Sequence, residues 1–376
     1  MRFFVTCARG TEGPLRRELA DLRIRGPRGA EGGVSFEGRL DEALAACLWS
    51  RVGMRVLLEL GAFSAGNAEE LYAGVHALDW PAHLDTHSTL AVAATVRDNP
   101  ALSHSGFAAL KAKDAIVDVL RARLGARPDI NPEDPDVPIT LHVRGTEARI
   151  FLDLSGQPLH RRGYRLAMTD APLKENLAAA ILALADADPQ RPFLDPMAGS
   201  GTFAIEQALR ARNIAPGLQR RFAFQRWPDQ AHAPAWTQLC EQARSVQLPR
   251  APAPILARDI DPEAIAAARR NAGAAGVAAD ITCAVAGIST LTPPFTSGTL
   301  LANPPYGERL GDRDRDLEHL YDDFGRALGR FGAWNLAVFS GNPMFSRIYL
   351  RKPDINHRLW NGPLETRLLV YRPRPA

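Results

Sequence analysis

FLDPMAGSGTFAIEQA, residues 193–208, is a short apolar strand that runs into a glycine turn and opens directly into a helix. Phe193, Leu194 and Asp195 close the strand, and Gly199 and Gly201 carry no side chain, so backbone NH groups can approach a ligand closely. Thr202 then begins a helix whose Phe203, Ile205 and Ala208 can face a sheet, which turns the free NH groups of its first turn toward the same crevice. The reading is a nucleotide site on an α/β fold with a mostly parallel, Rossmann-like sheet. What the site holds is a separate matter. Gly199-Ser200-Gly201-Thr202-Phe203-Ala204 also fits the GxGxxG/A dinucleotide pattern, a weak match alone, and a glycine turn can serve merely to pack a helix on a sheet.

Two later segments narrow the chemistry. Ile255-Leu256-Ala257-Arg258-Asp259 is an apolar strand ending in a carboxylate, the place where doubly wound folds set an acceptor for ribose hydroxyls. Asp261 reads instead as a helix N-cap, with Pro262 at the first helical position and Ile265, Ala268 and Ala272 on the inner face. Thr299-Leu300-Leu301-Ala302 then leads into Asn303-Pro304-Pro305-Tyr306-Gly307. Consecutive prolines hold Asn303 extended and keep the segment out of a helix, leaving a stiff loop with a side-chain amide and a backbone carbonyl at a strand end. Those two oxygens can accept both hydrogens of an exocyclic nucleobase amine, and Tyr306 can stack on a base that has left its own stack. An amine held in line with the sulfonium methyl of S-adenosylmethionine needs positioning and dipoles, and no catalytic metal. A hydride-transferring enzyme has no use for such a loop, and Asp259 lies far beyond the usual spacing of about 20 residues from the glycines.

The rest of the 376 residues, 46% hydrophobic and 23% charged, supplies several cores and implies more than one domain. A formal charge of +3 neither demands nor excludes nucleic acid, so local clusters carry that argument. Cys7, Cys47, Cys240 and Cys283 lie far apart, with no CxxC pair, and read as buried thiols in a reducing compartment. None follows a proline, as the nucleophile of a cytosine-C5 methylase would. No window of about 20 apolar residues exists, so a cytoplasmic protein without membrane attachment is expected, a monomer by default.

Residues 1–60 alternate strand and helix as a small α+β unit, and 61–160 form a second. In the second, a helix over 107–124 places Phe107, Leu110, Val117, Leu120 and Leu124 near one face, and strands 139–143 and 148–154 pair as a hairpin. His160-Arg161-Arg162-Gly163-Tyr164-Arg165 is the densest basic cluster; Arg161, Arg162, Tyr164 and Arg165 suit phosphate contacts and stacking, and the segment reads equally as a solvated linker. Asp170 reads as an N-cap, with Pro172 in the first turn of the next helix. Residues 213–254 form a proline-containing excursion that serves either as a substrate-facing insertion or as a connection.

Residues 194–202, Asp259-Ile260-Asp261-Pro262 and Asn303-Pro304-Pro305-Tyr306-Gly307-Glu308-Arg309-Leu310 together resemble the THUMP-domain RNA methyltransferases, above all the bacterial type acting on a guanine exocyclic amine of large-subunit ribosomal RNA. Arg162-Gly163-Tyr164-Arg165, Ala171-Pro172-Leu173-Lys174-Glu175, Trp334-Asn335-Leu336 and Asn361-Gly362-Pro363-Leu364 extend the likeness. The resemblance implies a ferredoxin-like segment over 1–60, an RNA-capturing THUMP domain over 61–160 and a methyltransferase domain over 161–376. It implies that Asp195, Pro196, Met197, Ala198, Gly199, Ser200, Gly201 and Thr202 hold the methionine part of S-adenosylmethionine. Asp259 and Ile260, with Gly287 and Ile288, would hold its nucleoside, and Asn303, Pro304, Pro305 and Tyr306 would grip the base. Relatives usually carry an acid for the adenine amine where this chain has Gly287. Alternatives are transfer RNA as substrate, a DNA adenine-N6 methylase, and an RNA-binding protein with an inactive donor site.

Overall fold

A computed structural model describes residues 1–167, 173–307 and 314–374. The chain forms two compact units: Met1–Cys7, Glu18–Leu159 and Arg220–Glu241 make the first, and Ala8–Arg17, His160–Gln219 and Gln242–Ala376 the second. In order come β1 (Arg2–Thr6), α1 (Glu12–Asp21), β2 (Arg28–Ala30), β3 (Gly33–Glu37), α2 (Leu40–Trp49), β4 (Arg55–Ser64), α3 (Ala68–His76), β5 (Leu90–Arg97), α4 (Ser105–Leu124), β6 (Val137–Arg144) and β7 (Glu147–Asp153). Their strands make one seven-stranded sheet in the order β2-β3-β1-β4-β7-β6-β5.

The expected division at residue 60 therefore cuts through a strand. β4 pairs with β1 over residues 55–58 and continues to pair with β7 over 57–64, across a bulge at Glu59 and Gly61. A bulge lets one long strand bend and serve two halves of a sheet. The strands of the two expected segments belong to one sheet.

The expected stripe of α4 also differs. Val117 and Leu120 are buried, whereas Phe107, Leu110 and Leu124 are 41%, 50% and 40% exposed. Ala108, Ala112, Ala115 and Ile116 fill the inner face instead, because small side chains let a helix approach its neighbours closely. The excursion acquires a definite place: Arg220–Glu241 groups with the first unit. There Phe222 and Phe224 meet Trp236 edge-on at 5.2 and 5.0 Å, and Arg226 pairs with Asp134 at 2.9 Å and Asp136 at 3.2 Å.

The chain continues through α5 (Glu175–Leu184), β8 (Phe193–Asp195), α6 (Thr202–Ala211), α7 (Ala233–Ser245), β9 (Ile255–Asp259), α8 (Pro262–Ala274), β10 (Ile281–Val285), β11 (Thr299–Ala302), α9 (Asp314–Leu328), β12 (Asn335–Ser340), α10 (Met344–Ile348), β13 (Ile355–Asn361) and β14 (Leu364–Tyr371). The second sheet runs β10-β9-β8-β11-β12-β14-β13. Neighbours from β10 to β12 are parallel, and β14 is antiparallel to both β12 and β13. All six residues of β12 are buried, as befits a central strand covered on both faces. This is a doubly wound, mostly parallel, Rossmann-like sheet. From sequence, residues 359–362 to 368–370 read as a hairpin whose last strand lies antiparallel at the sheet edge; that strand, β14, is antiparallel but lies inside the sheet, and β13 is the edge, where its exposed Asn356 and Arg358 suit the position.

Asp261 caps α8 as expected, accepting from the Glu263 NH at 2.8 Å. Asp170 and Pro172 lie outside the described residues, as do Ala171 and Glu308, Arg309 and Leu310. Cys7, Cys47 and Cys240 are buried thiols and Cys283 is half-buried. Among the described residues no helix is long and apolar enough to cross a membrane.

Candidate active site

Strand order reverses around β8, which has β9 on one side and β11 on the other, so a crevice opens beyond the carboxyl ends of these strands. A cavity of about 940 Å³ occupies it. Asp195, Pro196, Met197, Ala198, Gly199, Ser200 and Thr202 line one wall, Asp259, Ile260, Gly287 and Ile288 a second, and Asn303, Pro304, Pro305, Tyr306 and Gly307 a third. The glycine turn and the proline turn thus face one space.

The glycine turn is tied down by β9. The Ala198 NH donates to the Arg258 carbonyl at 2.8 Å, and the Gly199 NH donates to the Asp259 carboxylate at 2.8 Å. The other Asp259 oxygen accepts from the Asp261 NH at 3.0 Å, so this acid shapes two loops as well as lining the cavity. Gly201 is not among the lining residues. Its φ is +85°, and a Cβ there would lie 2.9 Å from the Cβ of Ala268, so glycine at 201 lets α6 start against α8. Asp195 is 1% exposed and accepts from the Met197 NH at 3.2 Å. Burial pushes its carboxyl well above the usual carboxylate range, the charge of Asp259 adds to this, and the Met197 NH opposes it.

The proline turn is held by three hydrogen bonds. Tyr321, on α9, donates its hydroxyl to the Pro305 carbonyl at 2.6 Å, and the Asn342 amide donates to the Tyr306 carbonyl at 2.8 Å. The Tyr306 hydroxyl donates to Oδ1 of Asn303 at 2.6 Å. No hydrogen bond to the Pro304 carbonyl occurs among the described residues, and Asn303 Oδ1, which accepts from Tyr306, keeps a second lone pair. Gly341 makes room for the tyrosine: a Cβ there would stand 3.0 Å from its ring.

The basic lead-in does not form the RNA-facing patch that its sequence allows. Arg162 and Tyr164 are 3% and 2% exposed and converge on buried Glu206, the guanidinium ion-paired at 3.5 Å and the phenol donating at 3.1 Å. Arg165 donates to Glu175 at 2.8 Å, to the Leu173 carbonyl at 2.9 Å, and to the hydroxyls of Ser200 and Thr202 at 3.3 and 3.2 Å. It braces the glycine turn from behind, together with Asn271, which donates to the Ser200 carbonyl at 3.1 Å. Arg161 alone of the four is exposed. The cationic side chains point inward because their carboxylates come from α5 and α6, which cover them.

Tyr321, Asn342 and Asn271 escape a reading by motif. Asn342 carries a legible signal, a polar residue just past the carboxyl end of β12, as Asp195 and Asp259 end their strands. Tyr321 carries none, since its spacing with Leu317, Phe324 and Leu328 is that of a core-facing helix stripe.

A family model described as an RMKL-like methyltransferase domain matches residues 162–369, a THUMP domain model matches 65–153, and an RlmL ferredoxin-like domain model matches 2–57. The chain is 43% identical over 384 residues to a ribosomal RNA large subunit methyltransferase K/L of Syntrophotalea carbinolica, covering 99% of this chain and 53% of that protein. It spans about half the length of the K/L proteins it matches. It is 37% identical to slr0064 of Synechocystis sp., named as a candidate RNA methyltransferase, over 98% of this chain and 96% of the other. Among solved structures, that of SMU.472 complexed with SAH superposes with a TM-score of 0.91 at 32% identity, covering 100% of this chain and 98% of that one.

Proposed function

Since the chain belongs to the RMKL-like methyltransferase family, we propose that it methylates the exocyclic N2 amine of a guanine in large-subunit ribosomal RNA, with S-adenosylmethionine as donor. The observation that carries this reading is the single cavity onto which both the glycine turn and the Asn303-Pro304-Pro305-Tyr306 turn open. The cavity wall fits the donor. Ile260 is an apolar side chain 76% exposed at the cavity wall, a surface that an adenine ring would cover with gain. The Asp259 carboxylate retains lone pairs for ribose hydroxyls, and the buried Asp195 carboxyl is an acceptor for a cationic group. The bound donor supplies an electrophilic methyl on a sulfonium.

The chain's own residues do the rest. Asn303 Oδ1 and Pro304 O accept the two amine hydrogens, which turns the nitrogen lone pair out of the base plane. Tyr321 and Asn342 fix the backbone on either side, so these acceptors do not have to reorganise when the base arrives. The Tyr306 ring supplies a stacking face for a base out of its helix. The THUMP match and the RNA methyltransferase names among relatives support RNA over DNA as the substrate class. The test offers unmodified large-subunit ribosomal RNA, transfer RNA and duplex DNA side by side and identifies the methylated nucleoside by mass spectrometry. N2-methylguanosine from ribosomal RNA is expected; N6-methyladenine in DNA, with no mark on RNA, would overturn the proposal.

Gly287 offers a gain-of-function check. Its φ and ψ, −84° and 167°, suit any residue, and a Cβ there would meet nothing nearer than Ile260 Cδ1 at 3.6 Å. Gly287→Asp is expected to tighten S-adenosylmethionine binding about tenfold, the worth of one hydrogen bond to a charged acceptor. Calorimetry on the two proteins measures it. Equal affinities would mean that the adenine amine lies elsewhere.

A further inference from the structure

Outside the cavity, one cationic and aromatic cluster has no part in donor or base binding. Trp360 is the penultimate residue of β13 and precedes Asn361, which with Gly362, Pro363 and Leu364 forms the hairpin tip that lines the cavity. The Arg9 guanidinium lies 4.1 Å from the centroid of the Trp360 ring, and that of Arg358 lies 5.0 Å from it. Arg358 pairs with Glu365, and so does Arg367 at 3.2 Å. Arg358 and Arg367 thus share a single carboxylate, and Arg9 has no acidic partner among the described residues. Arg9 is exposed, and the side chains of Arg358 and Arg367 are 55% and 49% exposed.

The position of Arg9 is built, not incidental. The Thr11 NH and hydroxyl both donate to the Ala8 carbonyl, at 3.0 and 2.6 Å, and the Gly10 NH donates to Glu12 at 2.9 Å. Gly10 has a φ of +88°, and a Cβ there would stand 2.6 Å from the Arg358 carbonyl. Only glycine lets this turn press on β13 and deliver Arg9 to the indole.

We infer that Arg9, Arg358, Trp360 and Arg367 form a docking patch for the unpaired RNA strand that flanks the target base. This rests on the RNA methylation reading. A base drawn into the cavity pulls its neighbours past the hairpin tip, where excess positive charge meets the phosphates. Bases stack on arginine planes as they do on aromatic rings, so the Arg9–Trp360 pair extends the platform one layer outward. Arg358 and Arg367, sharing one carboxylate, keep donors for phosphate oxygens.

The test measures binding of a fluorescent single-stranded RNA and of a large-subunit ribosomal RNA transcript across a salt series, with S-adenosylhomocysteine calorimetry in parallel. Arg9→Ala and Arg358→Gln are each expected to weaken RNA binding about fivefold, and to flatten the salt dependence by roughly 0.7 in slope for each lost phosphate contact. Arg9→Ala leaves S-adenosylhomocysteine affinity unchanged and raises KM for RNA more than it lowers kcat. Arg9→Lys keeps the charge and the salt slope while losing the stacking part of the affinity. If both alanine and glutamine variants bind RNA with wild-type affinity and slope, the cluster only pins the turn to the sheet and the inference falls. If the wild-type protein binds donor but no RNA, the RNA reading falls and this inference with it; RNA binding that resides wholly in Arg9 and Arg358, without methylation of any RNA, would keep the patch and sink only the assigned reaction.

Discussion

Asn303→Ala is expected to lower kcat by about 10²–10³-fold while leaving the affinity for S-adenosylmethionine within about twofold of wild type. On the proposed reading the substitution removes one of the two acceptors for the amine, and it touches none of the bonds that hold the glycine turn. It also strips the Tyr306 hydroxyl of its partner at 2.6 Å, so the ring becomes freer as well. Tyr306→Phe separates the two effects, because it keeps the amide oxygen and removes only the tether; it should retain most of the turnover. Single-turnover methyl transfer to an RNA substrate, with calorimetry for the donor, measures both. Wild-type turnover in Asn303→Ala would show that the amine is not held by this loop.

A second large effect concerns stability. Glu206 is 1% exposed and Arg162 3%, and Tyr164 shares the same carboxylate. Glu206→Ala leaves a buried guanidinium short of its counter-charge, at a cost of about 3–5 kcal/mol. Removing both charges together, as Arg162→Met with Glu206→Leu, should recover most of that loss, because the penalty arises from an uncompensated ion more than from a missing attraction. Hydrogen exchange of the α5 and α6 amides under increasing denaturant follows this unit separately from the first. Equal protection in Glu206→Ala and wild type would mean that Arg162 is satisfied without it.

The same triad marks where reading by sequence ends. The glycine turn, the strand-end acids and the proline turn are local: each couples a run of apolar residues to a backbone constraint from glycine or proline, and the structure brings all three to one cavity. Arg162 and Tyr164 look like a surface patch because Glu206 stands more than forty positions away, in a helix that the fold buries on nearly every side. Tyr321 is illegible for a related reason. Its ring is core and only its hydroxyl reaches the Pro305 carbonyl, and periodicity registers the ring alone. The Phe107 and Leu110 side of α4 misleads in the opposite sense, since alanine counts little in a hydrophobic pattern yet fills the inner face where close packing is needed.

β4 has a bearing on how the amino-terminal half can be divided. Because its first residues complete one pairing and its last residues another, cutting the chain near residue 60 would not release two modules; it would split a beam and leave raw hydrogen-bonding edges on both pieces. Whatever the distal strands grasp is therefore registered against β1 and β3 without a joint between them. Recombination that swaps this region among relatives has to exchange the whole plank or none of it.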